Sequence, residues 1–272
     1  MTDTPSAPGQ PPSIETSVPQ SARIWNYWLG GKDNYPVDRA AGDQYREAFP
    51  GITDIARASR AFLTRAVRYL AGEAGVRQFL DVGTGLPTAD NTHEVAQRVA
   101  PEARIVYVDN DPLVLVHARA LLTSTPQGKT AYVEADLREP DKILRAAEET
   151  IDLAQPVALM LMGILGHVAD YDEARSIVRR LLEALPSGSY LAVNDGTNVI
   201  SNDFEEAQRR YNESGAVPYK LRSPEQIAGL FEGLELVEPG VVSLPRWRPE
   251  PADLAGGLPA ELDAFGGVGR KP

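Results

Sequence analysis

The segment Phe79-Leu80-Asp81-Val82-Gly83-Thr84-Gly85-Leu86-Pro87-Thr88 joins a short apolar run to a glycine-rich turn. In an open parallel sheet, ligands bind beyond the carboxyl ends of the strands, where the strand order reverses. Glycines at such a turn let the backbone approach a ligand with no Cβ in between. A Gly-x-Gly alone is a weak signal, but its neighbours sharpen it. Two further apolar runs end in acids, Val106-Tyr107-Val108-Asp109-Asn110-Asp111 and Val133-Glu134-Ala135-Asp136-Leu137. Either acid alone reads equally well as a turn or helix-cap residue. Three acids in register at successive strand ends point instead to a nucleoside. Asp109 would take the ribose hydroxyls and Asp136 the adenine amine, with Asn110 and Leu137 flanking the ring.

The turn also discriminates between nucleosides. A dinucleotide fingerprint needs a third glycine three residues after the second, so that pyrophosphate sits on a helix N-terminus. That position holds Thr88, and the next helical pattern begins only near Asn91. Asp81, just before the turn, would oppose pyrophosphate but suits the ammonium of a methionine moiety. No Tyr-x-x-x-Lys pair occurs, which removes the usual acid of short-chain dehydrogenases. These features favour S-adenosylmethionine (SAM), a cation without phosphate, over NAD. Gly83, Thr84 and Gly85 are then expected at the methionine portion, backed by Asp81. Met162 and Gly163, ending a fourth apolar run, are expected beside the sulfonium, and a plain core role is the alternative for Met162.

Other residues are candidates by position. Leu29-Gly30-Gly31-Lys32-Asp33-Asn34-Tyr35-Pro36 breaks a helical region before the sheet begins. Tyr27, Lys32 and Asn34 are expected to fold over the cofactor, Lys32 holding its carboxylate and Tyr27 or Tyr35 walling the acceptor pocket. The alternative is a solvated loop lysine with packing aromatics. His167, in Gly166-His167-Val168 after the fourth run, is the candidate general base, with a structural histidine as its alternative. His93 belongs to the start of a helix. With three scattered histidines and no cysteine, no metal site is expected, and thiolate or disulfide chemistry is excluded.

These residues need a scaffold. The 272 residues suffice for one large α/β domain, and 43% hydrophobic with 24% charged residues is a globular composition. The longest apolar run, Val157 to Ile164, falls far short of the ~20 residues of a membrane span. No basic cluster followed by an apolar stretch opens the chain, so a cytoplasmic location is expected. The net charge of −11 disfavours nucleic acid, whose binding rests on neutralising phosphates. The expected partner is a small-molecule acceptor, with neither nucleic acid nor membrane.

Residues 1–20, rich in Pro, Ser, Thr and Gln, read as a mobile tail. Residues 21–75 read as a helical lid or brace, and 76–272 as the ligand-binding domain. Strands are expected at Gln78–Val82, Arg104–Asp109, Ala131–Asp136, Val157–Gly163 and Tyr190–Asn194. Helices are expected near Asn91–Val99, Pro112–Leu122, Lys142–Thr150 and Tyr171–Leu185. Such alternation implies a parallel sheet covered on both faces. Helical stretches at Asp203–Ser214 and Pro224–Phe231 lead into Leu234–Val242 and a Pro/Gly-rich loop, and the chain closes with Ala264 to Arg270. Two late strands joined by the loop are expected to form a hairpin at the sheet edge.

The order Asp-x-Gly-x-Gly, Asp109, Asp136 and an apolar fourth strand resembles a class I SAM-dependent methyltransferase. More narrowly, several stretches are similar to a bacterial family of SAM methyltransferases. They are Ser21-Ala22-Arg23 with Leu29 to Tyr35, Gly83 to Thr88 with Asn91 and His93, Val108 to Pro112, and the closing Gly267-Val268-Gly269-Arg270-Lys271-Pro272. The resemblance covers nearly everything after residue 20. It implies a Rossmann-like fold with a mostly parallel seven-stranded sheet whose last strand is antiparallel, and methyl transfer from SAM to oxygen or nitrogen of a small acceptor. The long turn between Gly85 and Asn91 departs from the general class I pattern. A SAM-binding module without catalysis and an NAD-dependent oxidoreductase are the competing readings.

Overall fold

The structure, a computed structural model, describes residues 15–121 and 123–272. Of the segment read as a tail, residues 1–14 lie outside the described residues, as does Leu122 at the end of one expected helix. Residues 15–20 lead into the first helix, and Arg23 Nη1 donates to the Glu15 carbonyl at 2.6 Å.

Among the described residues, eight strands form one sheet: β1 (Gln78–Val82), β2 (Arg104–Asp109), β3 (Lys129–Glu134), β4 (Ala158–Met162), β5 (Tyr190–Gly196), β6 (Glu235–Leu236), β7 (Val242–Ser243) and β8 (Ala264–Arg270). Their order is β3-β2-β1-β4-β5-β8-β6, with β7 also paired to β8. The first five strands pair in parallel, and β8 runs antiparallel between β5 and the edge. The order reverses between β1 and β4, which places the topological switch point at the end of the Asp81 strand. The seven positions expected across the sheet are present, but the edge position is divided. Beta6 and β7 pair with opposite ends of β8. Between them Gly240, at φ +86°, closes a turn by donating its N–H to the Val237 carbonyl. Pro239, which has no N–H to give a ladder, sits in the same turn.

Alternation along each central strand builds two cores. Phe79, Ile105, Ala158 and Ala192 face one way, joining residues of α1 (Ser21–Trp28), α2 (Pro36–Ala48), α3 (Ile52–Gly72), α4 (Thr92–Val99) and α8 (Asn202–Glu213). Leu80, Val106, Leu159 and Leu191 face the other way, against α6 (Pro140–Ala147), α7 (Tyr171–Glu183) and α9 (Pro224–Gly229). This is the period-two geometry of a doubly covered sheet. The remaining helix, α5 (Pro112–Leu121), follows β2. Helix α7 buries the stripe Ala174, Ile177, Val178, Leu181 and Leu182 predicted from its spacing. Reciprocal caps start α4 and α9: the Asn91 N–H donates to Glu94 Oε2 at 2.8 Å and the Ser223 N–H to Gln226 Oε1 at 3.1 Å. Expected element boundaries shift by a few residues, most at Lys142–Thr150, which the structure places at Pro140–Ala147 because Pro140 takes the first helical turn.

Candidate functional site

A cleft of about 250 Å³ opens over the carboxyl ends of β1 to β5 and is roofed by α1 and α3. Its floor begins at the glycine turn. Gly83 adopts φ +75°, and a Cβ there would stand 2.4 Å from Ile164 Cγ1, so both backbone conformation and packing require glycine. Gly85, at φ +67°, has open space where its Cβ would be. The Gly83 N–H donates to the Val108 carbonyl at 2.8 Å, and Thr84 Oγ1 donates to the Asp81 carbonyl at 3.0 Å, which ties the turn to β1 and β2.

The three strand-end acids all line this cleft. Asp81 is buried, and its Oδ2 accepts from Thr92 Oγ1 at 2.6 Å. Burial pushes its pKa up from 3.8 to about 6, against the hydrogen bond from Thr92 and the charge of Arg60. Asp109 accepts the Gly85 N–H on Oδ2 and the Asp111 N–H on Oδ1, both at 2.9 Å. Burial lifts its pKa to about 6 as well, opposed by those backbone bonds. Burial would also raise Asp136, but the Arg138 N–H, the Asn110 amide and the Arg138 guanidinium together outweigh it and hold that carboxyl below its usual value. Asn110 Nδ2 donates to Asp136 Oδ2 at 3.2 Å, so one side chain links the second and third strand ends.

Because the folded state binds the Asp81 proton more tightly than the unfolded chain does, this group loses stability as pH rises from about 4 to about 6 and recovers none above. Asp81→Asn keeps an oxygen for Thr92 and removes the buried charge. It is expected to stabilise the ligand-free protein at pH 8 by about 1–3 kcal/mol. The gain should shrink toward zero as pH is lowered to 4, and thermal melts across that range check it. A constant gain at all pH values would show that Asp81 is not held protonated.

Leu137, Met162, Gly163 and His167 also line the cleft. Met162 Sδ accepts from Asn194 Nδ2 at 3.4 Å, and the Gly163 N–H donates to the Asn194 carbonyl at 2.9 Å. His167 sits in a single 3-10 turn, Leu165–His167, with Nδ1 3.0 Å from the Pro218 carbonyl and its ring edge-on to Tyr219. Burial lowers its pKa below 6.5, with Arg138 acting in the same direction and the Pro218 carbonyl opposing, so the imidazole is neutral at pH 7.

Tyr27, Lys32 and Asn34 do not line the cleft, contrary to the expectation that they face the cofactor. The Tyr27 hydroxyl donates to Asp43 Oδ1 at 2.7 Å on the outer side of the helical layer. Lys32 is exposed. Asn34 Nδ2 donates to Asn26 Oδ1 and to the Gly31 carbonyl, each at 3.0 Å. Its contact with the cleft runs through Asn26, a lining residue whose side chain stands where a Cβ on Gly31 would be. The pair Gly30-Gly31 thus closes a tight turn around Asn26. Tyr35 lies under the Arg23 guanidinium, 5.2 Å from ring centroid to Cζ.

Several cleft residues were not foreseen, and two of them carry unpartnered buried polar atoms. Arg60 of α3 donates from Nη2 to Asn91 Oδ1 at 3.3 Å, and its buried Nε has no partner among the described residues. Its signal was legible, since Arg60 interrupts the apolar stripe Ala56, Leu63, Val67, and an arginine on such a stripe is either paired or functional. Asp111 is the other, with a buried Oδ2 that is likewise unpartnered among the described residues.

A glycine turn and acidic strand ends on a sheet of this order define the class I methyltransferase arrangement. The chain belongs to a family described as S-adenosyl methyltransferase, whose model matches residues 7–272, so SAM is its cofactor. It is similar to a DUF574 family protein from Streptomyces avermitilis, 49% identical with TM-score 0.91 over 96% of this chain and 100% of that one. A protein from Thermobifida fusca, whose given name proposes a methyltransferase, is 42% identical with TM-score 0.86 over 97% and 99%. An O-methyltransferase family protein from Burkholderia thailandensis shares the fold at 17% identity, TM-score 0.53, over 76% of this chain and 55% of that one. Among curated proteins, no relative matches. No helix among the described residues is long and apolar enough to cross a membrane.

Proposed function

We propose that this cytoplasmic protein transfers the methyl group of SAM to oxygen or nitrogen of a small acceptor, with the nucleoside over β1 to β3 and the acceptor beyond β4. The single observation carrying this reading is the convergence of Asp81, Asp109 and Asp136 with the Gly83–Gly85 turn on one cleft. The residues fit the donor. The carboxylates of Asp109 and Asp111 retain lone pairs for two ribose hydroxyls. Asn110, Asp136 and Leu137 accommodate the adenine. Asp81 lies on the ammonium side, and Arg60, in place of the expected Lys32, takes the carboxylate.

SAM supplies a methyl carbon already activated by the sulfonium, whose sulfur keeps the electron pair of the broken C–S bond. The acceptor's lone pair forms the new bond, and a hydroxyl acceptor must lose its proton. The neutral His167 is the group in the cleft that takes it, a contribution of about 10²–10⁴-fold where a base is needed. Alignment supplies most of the remainder, with up to about 7–11 kcal/mol available from that source. Residues 21–75 act as lid and brace: α1 lines the cleft with Ile24, Trp25, Asn26 and Trp28, of which Ile24 and Trp28 also anchor it in the core.

Thermal melts test the cofactor. SAM or S-adenosylhomocysteine at a hundred times its Kd should stabilise the folded state by about 2.7 kcal/mol, which is about 5–10 °C for a chain of this size. NAD and NADP should leave the melt unchanged, and stabilisation by NAD alone would overturn the reading. Release of S-adenosylhomocysteine from SAM separates an enzyme from a binding module.

A further inference from the structure

The far side of the cleft differs in kind from the nucleoside side. Past β4, the lining comes from Trp25 of α1, from Phe204 and Tyr211 of α8, and from α3 and the loop that holds Tyr219. The rings form one cluster, Trp25 edge-on to Trp28 at 5.7 Å, Trp28 to Tyr45 at 5.1 Å and Tyr45 to Tyr211 at 5.8 Å. Trp25 is only half-buried, so its surface forms a wall rather than core.

Charge on this side is already neutralised. Asp195 is the only Asp, Glu, Lys or Arg among the described lining residues on β5 and α8. Arg222 Nη1 sits 3.0 Å from its Oδ2, and the Tyr219 hydroxyl donates to its Oδ1. A cationic acceptor would find no free carboxylate there. An anionic one would find no cation on β5 or α8, Arg60 of α3 being taken by the donor's carboxylate in the reading above, and would face the acids of the nucleoside side.

One polar atom is left over, next to the sulfonium position. Asn194 lies near the carboxyl end of β5, paired with Met162 of β4, and its amide orientation is set by its neighbours. The thioether of Met162 only accepts, so Nδ2 must face it at 3.4 Å, and the same Nδ2 donates to Ser59 Oγ at 2.9 Å. Asn194 Oδ1 then has no hydrogen-bond partner among the described residues, and it lies 3.7 Å from where a Gly163 Cβ would stand. An acceptor oxygen with both its donors elsewhere calls for a donor from the ligand.

We propose that the methyl acceptor is an uncharged, flat, largely aromatic small molecule that lies between α1 and α8 and donates a hydroxyl or amine N–H to Asn194 Oδ1. This deepens the reading of the cleft as a methyltransferase site and rests on it. The donated group is the one methylated, because Asn194 is hydrogen-bonded to the residue beside the sulfonium position. Its proton leaves to His167 or to water as the new bond forms.

Isothermal calorimetry on the full chain tests this with three probes of one shape, naphthol, naphthoate and naphthylmethylammonium. Each is titrated with and without saturating S-adenosylhomocysteine, whose own binding is measured first. The expected result is that naphthol binds at least tenfold more tightly than either charged probe. Trp25→Leu and Phe204→Leu should each weaken naphthol several-fold while leaving S-adenosylhomocysteine affinity unchanged. Asn194→Ala should weaken naphthol but not naphthalene itself. Equal or tighter binding of a charged probe overturns the proposal, as does the absence of naphthol binding to protein that binds S-adenosylhomocysteine. Selective naphthol binding without S-adenosylhomocysteine binding would sustain the proposal for the pocket and overturn the cofactor assignment instead.

Discussion

Asp109→Ala is expected to weaken SAM binding about 10²-fold or more while the protein stays folded. A carboxylate accepting two ribose hydroxyls makes charge-assisted bonds of roughly 1.5–3 kcal/mol each, and about 1.4 kcal/mol is a decade in affinity. The alanine also strands the Gly85 and Asp111 N–H groups that now donate to the carboxylate, which loosens the turn under the methionine portion. The fold should tolerate the change, because burial already makes this charge costly, as its pKa of about 6 records. For the same reason, wild-type affinity should fall as pH drops through about 6 and the carboxylate takes up a proton. Calorimetry with S-adenosylhomocysteine, paired with a thermal melt, checks both statements. Unchanged affinity in a well-folded variant would show that the ribose lies elsewhere.

Arg222→Met is expected to lower stability by about 3–5 kcal/mol, since it leaves a buried carboxylate without its counter-ion. For a chain of this length that is a fall in Tm of about 6–20 °C. Arg222 and Asp195 are both almost fully buried, and the same guanidinium donates from Nη2 to the Val168 carbonyl at 2.5 Å. The segment between α8 and α9 is thereby fastened to the 3-10 turn after β4 and to the end of β5. Its backbone adds two ties, Lys220 N–H to the Gly166 carbonyl at 2.7 Å and Arg222 N–H to the Gly196 carbonyl at 3.0 Å. Loss of the ion pair should therefore disturb the acceptor side first. The double variant Arg222→Met with Asp195→Leu should recover most of the loss, because a buried pair replaced as a unit is often neutral. A melt shifted by less than about 2 °C in the single variant would show that the pair contributes little.

The positions of the two predictions differ in how visible they were beforehand. Asp109 is legible in the sequence because it ends an apolar run, and a buried strand that stops in an acid states both its geometry and its chemistry locally. The strand–helix alternation, the acids at 81, 109 and 136, and the glycine turn are all local patterns, and the structure brings them to one cleft. The division of the edge strand was not legible in the sequence, where Leu234–Val242 reads as one stretch; Pro239-Gly240 marks the break but not which end of β8 each half will join.

Contacts between distant segments were not legible. Lys32 and Arg60 are both plausible partners for a carboxylate by type. Only the packing of α3 over the turn decides that Arg60 lines the cleft while Lys32 stays in solvent. Tyr27 is a plausible cleft wall by spacing until Asp43, sixteen residues on, takes its hydroxyl. Asn194, Ser59 and Met162 come from three elements, and no periodicity links them. The pattern of apolar and turn residues determined the sheet, its two covers and the half of the cleft that holds the glycine turn and the acids, because those depend on burial and backbone conformation within one segment. The acceptor half depends on which side chains meet across α1, α3, β5 and α8, and only the tertiary structure decides that.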